Sequence, residues 1–115
     1  MNKEILMSVG IAYDEAIVRF RGATELFEKF LKEMAIMRVI EPLQKALTEG
    51  KIDEAFAVAH TLKGNFGNMS AKTLYEKITP LVDELKNGNL IEAQKCYIEL
   101  EKEYDIVTEG IKKAM

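Results

Sequence analysis

The chain has 115 residues, of which 48% are hydrophobic and 30% are charged, and this balance excludes a wholly disordered protein. A formal net charge of -3 argues against nucleic-acid binding, which needs a basic face to displace counterions from phosphates. One cysteine and one histidine cannot supply the ligands of a structural zinc site, and no apolar run approaches the roughly 20 residues of a membrane span. We therefore expect a single cytoplasmic domain over residues 1–115, monomeric and without nucleic-acid or membrane partners.

Helical spacing of apolar residues dominates the N-terminal half of the chain, and strand-like alternation is nearly absent. Two short helices are predicted at about residues 2–9 and 13–20. Thr24 is expected to cap a long third helix that extends towards Gly50. Pro42 predicts either a kink in this helix or the first turn of a new one.

Three further helices are predicted at about residues 52–68, 71–87 and 90–113, with a kink at Pro80. The segments EGKIDEA and NGNLIEA resemble each other, and each has a glycine at a predicted helix end. Because short connections favour antiparallel neighbours, the sequence predicts an all-α fold, an antiparallel up-down-up-down four-helix bundle with two short N-terminal helices. These short helices either cover the bundle or mediate pairing.

The segment AHTLKGNFG at residues 59–67 contains the only histidine of the chain, His60. A helix advances about 100° per residue, so the direction of each side chain follows from its position. One stripe of this helix is apolar and is predicted to face the core: Ala55, Val58, Ala59, Leu62 and Phe66. His60 lies about 140° from the centre of that stripe, which predicts an imidazole exposed to solvent.

The neighbours of the histidine suit contact with another molecule. Lys63 follows it at i+3 and can place an ammonium group beside an anion that forms on the imidazole. An interior glycine costs about 1 kcal/mol relative to alanine, yet Gly64 and Gly67 share the histidine face, where they leave room for a second protein. A helix-end role is the alternative for Gly67. Phe56 and Ala57 lie on the same face and extend the predicted docking surface.

The segment AHTLKGNFGNMSAKTL resembles the signature of histidine-containing phosphotransfer (HPt) domains, in which a histidine is followed by x-Leu-Lys-Gly. The upstream segments YDEAIVRFRGATELFEKFLKEM and LQKALTEGKIDEAFAVAH are similar to the same family, so the resemblance covers about residues 10–113. It implies an antiparallel four-helix bundle with an exposed reactive histidine. It also implies that His60 is phosphorylated, that Lys63 balances the phosphoryl charge, and that Gly64 clears space for the partner.

The partners implied by the resemblance are receiver domains of response regulators or hybrid sensor kinases. A receiver aspartyl phosphate would transfer its phosphoryl group to His60, and a second receiver would take it. No cofactor is expected on this chain, because the magnesium ion of the reaction belongs to the receiver. Without a nucleotide-binding loop, the chain is expected to act as a covalent carrier and not as an ATP-dependent kinase.

The sequence departs from the family pattern at three positions: Ser70, Val82 and Pro80, the last of which can reshape the helix that adjoins the histidine helix. The family often has a glycine ten residues after the histidine, whereas this chain has Ser70, which is expected to cap the following helix. Many members also place a polar side chain of the adjoining helix near the phosphorylated ring. The matching position here is Val82, which cannot form a hydrogen bond, and Thr79 and Lys86 are the alternatives one turn to either side.

Two other functions stay open on the sequence. One is an interaction module that binds receiver domains or helices without being phosphorylated. The other is a catalytic helical protein in which His60 acts as a general base, with Asp53 or Asp83 as its acidic partner. A pocket that encloses the imidazole would favour general-base catalysis, and an open convex face would disfavour it.

Overall fold

A computed structural model describes all 115 residues, Met1–Met115, and contains seven α-helices and no β-strand. In chain order the helices are α1 (Lys3–Ser8), α2 (Tyr13–Arg19), α3 (Thr24–Ile36), α4 (Glu41–Thr48), α5 (Ile52–Asn68), α6 (Lys72–Lys86) and α7 (Leu90–Ala114). Helix α6 packs between α5 and α7, α4 packs on α5, and α3 packs on α7. The predicted all-α bundle is confirmed, with α3 and α4 together in place of its first long helix.

The break between α3 and α4 is fixed by a tyrosine of α7. Met37 has an extended backbone, with φ -100° and ψ 122°, and ends α3. The buried Tyr104 hydroxyl donates a hydrogen bond to the Met34 carbonyl at 2.6 Å and accepts one from the Val39 N–H at 3.1 Å. Pro42 lies in the first turn of α4, so this proline begins a new helix and does not kink a continuous one.

Both predicted N-caps are wrong. Helix α3 begins at Thr24 itself, after Ala23 in the N-cap position, and no side chain caps it. Ala71 holds the N-cap position of α6, so Ser70 lies one residue too early to cap that helix. Ser70 also has a φ of +53°, whereas an N-cap residue normally has an extended backbone.

Ser70 instead closes helix α5. Its own amide and that of the next residue bond to the carbonyls of Gly67 and Phe66, at 3.1 and 2.9 Å, which is the pattern of a helix that ends in a left-handed residue. Helices α4 and α6 end in the same way, but with Gly50 and Gly88, at φ +69° and +76°. Only glycine adopts this conformation without a steric cost, so the serine at this turn is strained.

The second proline does not interrupt its helix. Helix α6 continues through Pro80 to Lys86. Pro80 cannot donate the hydrogen bond that the Glu76 carbonyl would accept. Both residues are exposed, so water can replace that bond.

The N-terminal helices cover one end of the bundle. The Asn2 N–H donates a hydrogen bond to the Ala114 carbonyl at 2.8 Å, which joins the two ends of the chain. Val9 fits against Gly110 so closely that an added Cβ at residue 110 would lie 2.6 Å from it. The missing side chain at Gly110 therefore lets Val9, directly after α1, pack against the backbone of α7.

A single apolar core of 28 buried residues draws on all seven helices. The exposed hydrophobic residues are distributed over α1, α2, α3, α6 and α7, with Met37 and Met115 outside the helices. None of the seven helices combines the length and the apolar character that a transmembrane segment requires.

Replacing Ser70 with glycine is expected to raise the free energy of unfolding by about 1 kcal/mol, because glycine accepts the positive φ without strain. The Ser70 hydroxyl is buried and has no hydrogen-bond partner, so its loss removes a second unfavourable contribution. Ser70→Ala is the matched control, since it removes the hydroxyl but keeps the Cβ. Urea unfolding followed by circular dichroism compares the three proteins, and a glycine variant less stable than the parent would contradict this explanation.

Candidate functional site

Helix α5 presents His60 to solvent because its opposite face is committed to the core. That face contributes four buried side chains: Ala55, Ala59, Leu62 and Phe66. His60 itself is exposed, and the predicted outward orientation is confirmed. The imidazole is therefore accessible to a second protein without any rearrangement of the bundle.

Phe56 flanks the imidazole on its N-terminal side. The two ring centroids are 5.9 Å apart and the ring planes differ by 33°. Phe56 is half-buried and packs against the core, so its position is fixed from below. The adjacent Ala57 is exposed and adds only a methyl group, which keeps this side of the imidazole open.

Lys63 lies one turn after His60 on α5, and its ammonium group contacts Tyr75. The Lys63 ammonium lies 5.4 Å from the centre of the Tyr75 ring, within the range of a cation–π contact. Tyr75 belongs to α6 and is 41% exposed. Sequence reasoning missed this tyrosine, although it lies one turn before Thr79, a residue already considered for the face that adjoins α5. That spacing was the available signal.

The two glycines of the histidine face have different surroundings. A Cβ added at Gly64 would meet no atom within 4 Å, so this position is open space on the surface. A Cβ added at Gly67 would lie 3.4 Å from the Tyr75 ring. The missing side chain at residue 67 lets the aromatic ring of α6 approach the backbone of α5. Gly67 thus has a packing role that the sequence analysis did not foresee.

A shallow polar hollow extends from Lys63 along the glycine face to the start of α6. Arg19 and Lys72 also line it, and both pair with Glu15, at 3.0 and 2.8 Å. Hydrogen bonds from Lys72 and then from Arg19 hold the pKa of the Glu15 carboxyl below its ordinary value. Lys63 forms no such pair with a carboxylate, and it is therefore the cation of this hollow that is free to meet an incoming anion.

None of the three residues considered for orienting the imidazole is placed to do so through a hydrogen bond. Val82 is buried in the core. The Thr79 hydroxyl donates to the Tyr75 carbonyl at 2.7 Å, which commits its proton to the backbone of its own helix. Lys86 is exposed in the last turn of α6. Phe56 is the aromatic side chain beside the imidazole on this surface.

The surroundings of His60 do not favour general-base catalysis. Asp53 and Asp83 are both exposed, and neither forms a hydrogen bond or ion pair with the imidazole. His60 lines neither of the two main hollows of the surface. No group of three or more His, Cys, Asp or Glu side chains is arranged to hold a metal ion.

An apolar hollow of about 630 Å³ lies on the α3 side of α5. Seven hydrophobic residues line it: Phe20, Phe30, Met34, Val39, Leu62, Phe66 and Met69. Phe30 is 38% exposed, and the neighbouring Leu26 is 45% exposed. The helix that carries the histidine is thus bordered by an apolar surface on one side and by a cationic hollow on the other.

Comparison with known proteins gives two matches. A family model described as Hpt domain matches residues 25–109, which include the whole of α5 and α6. The chain is also similar to the chemotaxis protein CheA of Halobacterium salinarum, at 49% identity over 45 residues. That match covers 36% of this chain and only 7% of the relative, which is a much longer protein. No solved structure matches the chain.

The exposed position of the imidazole predicts that His60→Gln leaves the free energy of unfolding within about 0.5 kcal/mol of the parent. Leu62→Ala is the matched control on the same helix, because Leu62 is buried. Its truncation is expected to cost about 2–5 kcal/mol. Urea unfolding measures both values. A His60→Gln variant as unstable as the leucine variant would show that the imidazole contributes to the core.

Proposed function

The chain belongs to the Hpt domain family, and on this premise we propose that it is a histidine phosphotransfer protein of two-component signalling. His60 accepts a phosphoryl group from the aspartyl phosphate of one receiver domain and passes it to another. The observation that carries this proposal is the exposed imidazole on α5, within the matched residues, with Lys63 on its C-terminal side.

The transfer forms one bond and breaks one. The lone pair of the neutral imidazole, at Nε2, attacks the phosphorus atom in line with the bond to the receiver's aspartate. The N–P bond of a phosphoramidate forms as the P–O bond breaks, and the aspartate carboxylate leaves with the electron pair. The Nδ1 proton then passes to water. Because such reactions depend mostly on position and charge stabilisation, an accessible nucleophile beside a cation is an adequate contribution from this chain.

Lys63 and Gly64 have complementary roles in this step. The Lys63 ammonium has no carboxylate partner, so its charge is available to the phosphoryl oxygens. Open space at Gly64 lets the receiver bring its phosphorylated loop close to the imidazole. The chain acts as a covalent carrier, and the receiver contributes the magnesium ion and most of the catalytic groups.

The receiver docks over the exposed face of α5. Phe56 and Ala57 form its N-terminal part, and the open position at Gly64 continues it. The apolar hollow beside Phe30 supplies further hydrophobic contact area, whose burial favours association. We propose that its partners are receiver domains of response regulators or hybrid kinases, and that it acts as a monomer in the cytoplasm.

Purified receiver domains that carry a radiolabelled aspartyl phosphate are expected to label this protein within a single turnover. The label should be stable in base and labile in acid, as a phosphoramidate is, and it should be absent from His60→Gln. Transfer to a second, unlabelled receiver completes the test. Receiver binding without any labelling of the parent would instead identify an interaction module that is not phosphorylated.

Lys63→Met is expected to slow the transfer about tenfold, which corresponds to about 1.4 kcal/mol of transition-state stabilisation. Lys77→Met is the matched control, because Lys77 is an exposed lysine of α6 that forms no ion pair. Single-turnover rates at saturating receiver concentration separate this effect from binding. Equal rates for the two variants would exclude a role for the Lys63 charge.

A further inference from the structure

We infer that Tyr75 is a positioning residue for phosphotransfer, which holds the Lys63 ammonium beside the exposed face of α5. This inference rests on the proposed function of His60. Tyr75 touches neither the imidazole nor the reacting atoms, so it acts through Lys63. The contact joins two helices, α5 and α6, so the position of the ammonium group depends on how these helices pack.

The Tyr75 ring has a defined position against α5. Its Cε2 and Cδ2 atoms lie 3.4 and 3.5 Å from where a Cβ of Gly67 would be. On α6, the flanking Leu74 and Ile78 are fully buried and fix the rotation of the helix about its axis. Rotation of α6 about its axis is therefore restricted, which keeps the backbone of Tyr75 beside α5 and its ring within reach of Lys63.

The Tyr75 ring holds the Lys63 ammonium group without neutralising its charge, which a carboxylate could not do. Arg19 and Lys72, the other cations of the same hollow, are paired with Glu15 and partly neutralised by it. An aromatic ring attracts an ammonium group but carries no net charge, so Lys63 keeps its full positive charge for the phosphoryl group. The contact also restricts a flexible side chain before the reaction, which lowers the entropy lost when the ammonium meets the phosphoryl oxygens.

Four proteins measure the effect on transfer: Tyr75→Leu, Tyr75→Phe, Lys63→Met and the double variant Tyr75→Leu with Lys63→Met. We expect Tyr75→Leu to lower the maximal single-turnover rate about threefold, the size of one exposed cation–π contact, without changing the half-saturating receiver concentration. Tyr75→Phe keeps the ring and should retain the parental rate. In the Lys63→Met background, Tyr75→Leu should have no further effect.

Each contrary kinetic result overturns the inference. An unchanged rate in Tyr75→Leu would show that the ring is not needed. An equal loss in the presence and absence of Lys63, or a change in the half-saturating concentration alone, would show that Tyr75 contacts the receiver directly. Melting temperatures of all four proteins exclude unfolding as the cause, and little change is expected because Tyr75 is 41% exposed.

A spectroscopic measurement on the unphosphorylated protein separates this inference from the proposed function. A proton above an aromatic ring is shifted upfield, so the Lys63 Hε protons should be shifted in the parent and in Tyr75→Phe, but not in Tyr75→Leu. The Hε protons of Lys77 serve as the internal reference. Absence of the shift in a parent that receivers do label would overturn the positioning role alone. Absence of labelling with the shift retained would overturn the phosphotransfer function, and the positioning role with it.

Discussion

Burial of one face of α5 is the constraint on which the site depends. Four apolar side chains of this helix, from Ala55 to Phe66, are buried in the core. Their burial fixes the rotation of the helix about its axis, and with it the direction of every other side chain. Because these four side chains point into the core, the opposite face of the helix, which includes His60, points to solvent. A reactive group placed in this way needs no loop or lid to present it, and the bundle can remain rigid during the exchange of a phosphoryl group.

The turn after α5 determines where α6, which carries Tyr75, lies relative to the histidine helix. Ser70 ends the helix in a left-handed conformation, as Gly50 and Gly88 end two others, and the chain then reverses directly into α6. The reversal brings Tyr75 against Gly67 and under Lys63. A strained serine is tolerated at this turn since the hydrogen bonds of the helix end and the packing of α6 both hold it in place.

Helices that follow from a long periodic pattern of apolar residues could be predicted from the sequence. Features that depend on a single contact between distant residues could not. The bounds of α5, α6 and α7 follow from long apolar patterns and agree with the structure to within one residue. The break after α3 was left open, because it depends on a hydrogen bond from Tyr104, which is remote in sequence. The N-cap expected at Thr24 failed because the helix begins one residue earlier than a cap there requires.

The same distinction applies to the site. The direction of His60 could be read from its own helix, whereas the contact between Lys63 and Tyr75 requires the rotation of α6 relative to α5. The different surroundings of Gly64 and Gly67 arise from that rotation as well, since only one of them faces the tyrosine. A helical wheel describes one helix at a time, and it therefore finds exposed nucleophiles more readily than the residues that support them.

The hydrogen bond between Asn2 and Ala114 has a topological consequence. Residues 2 and 114 lie side by side, at the end of the bundle where α1 packs against α7. Adjacent termini allow a domain to be inserted into a surface loop of another protein, or to be circularly permuted, without stretching its core. If this bundle were carried within a host polypeptide, its two junctions would lie next to each other, and the path of the host chain would be little disturbed.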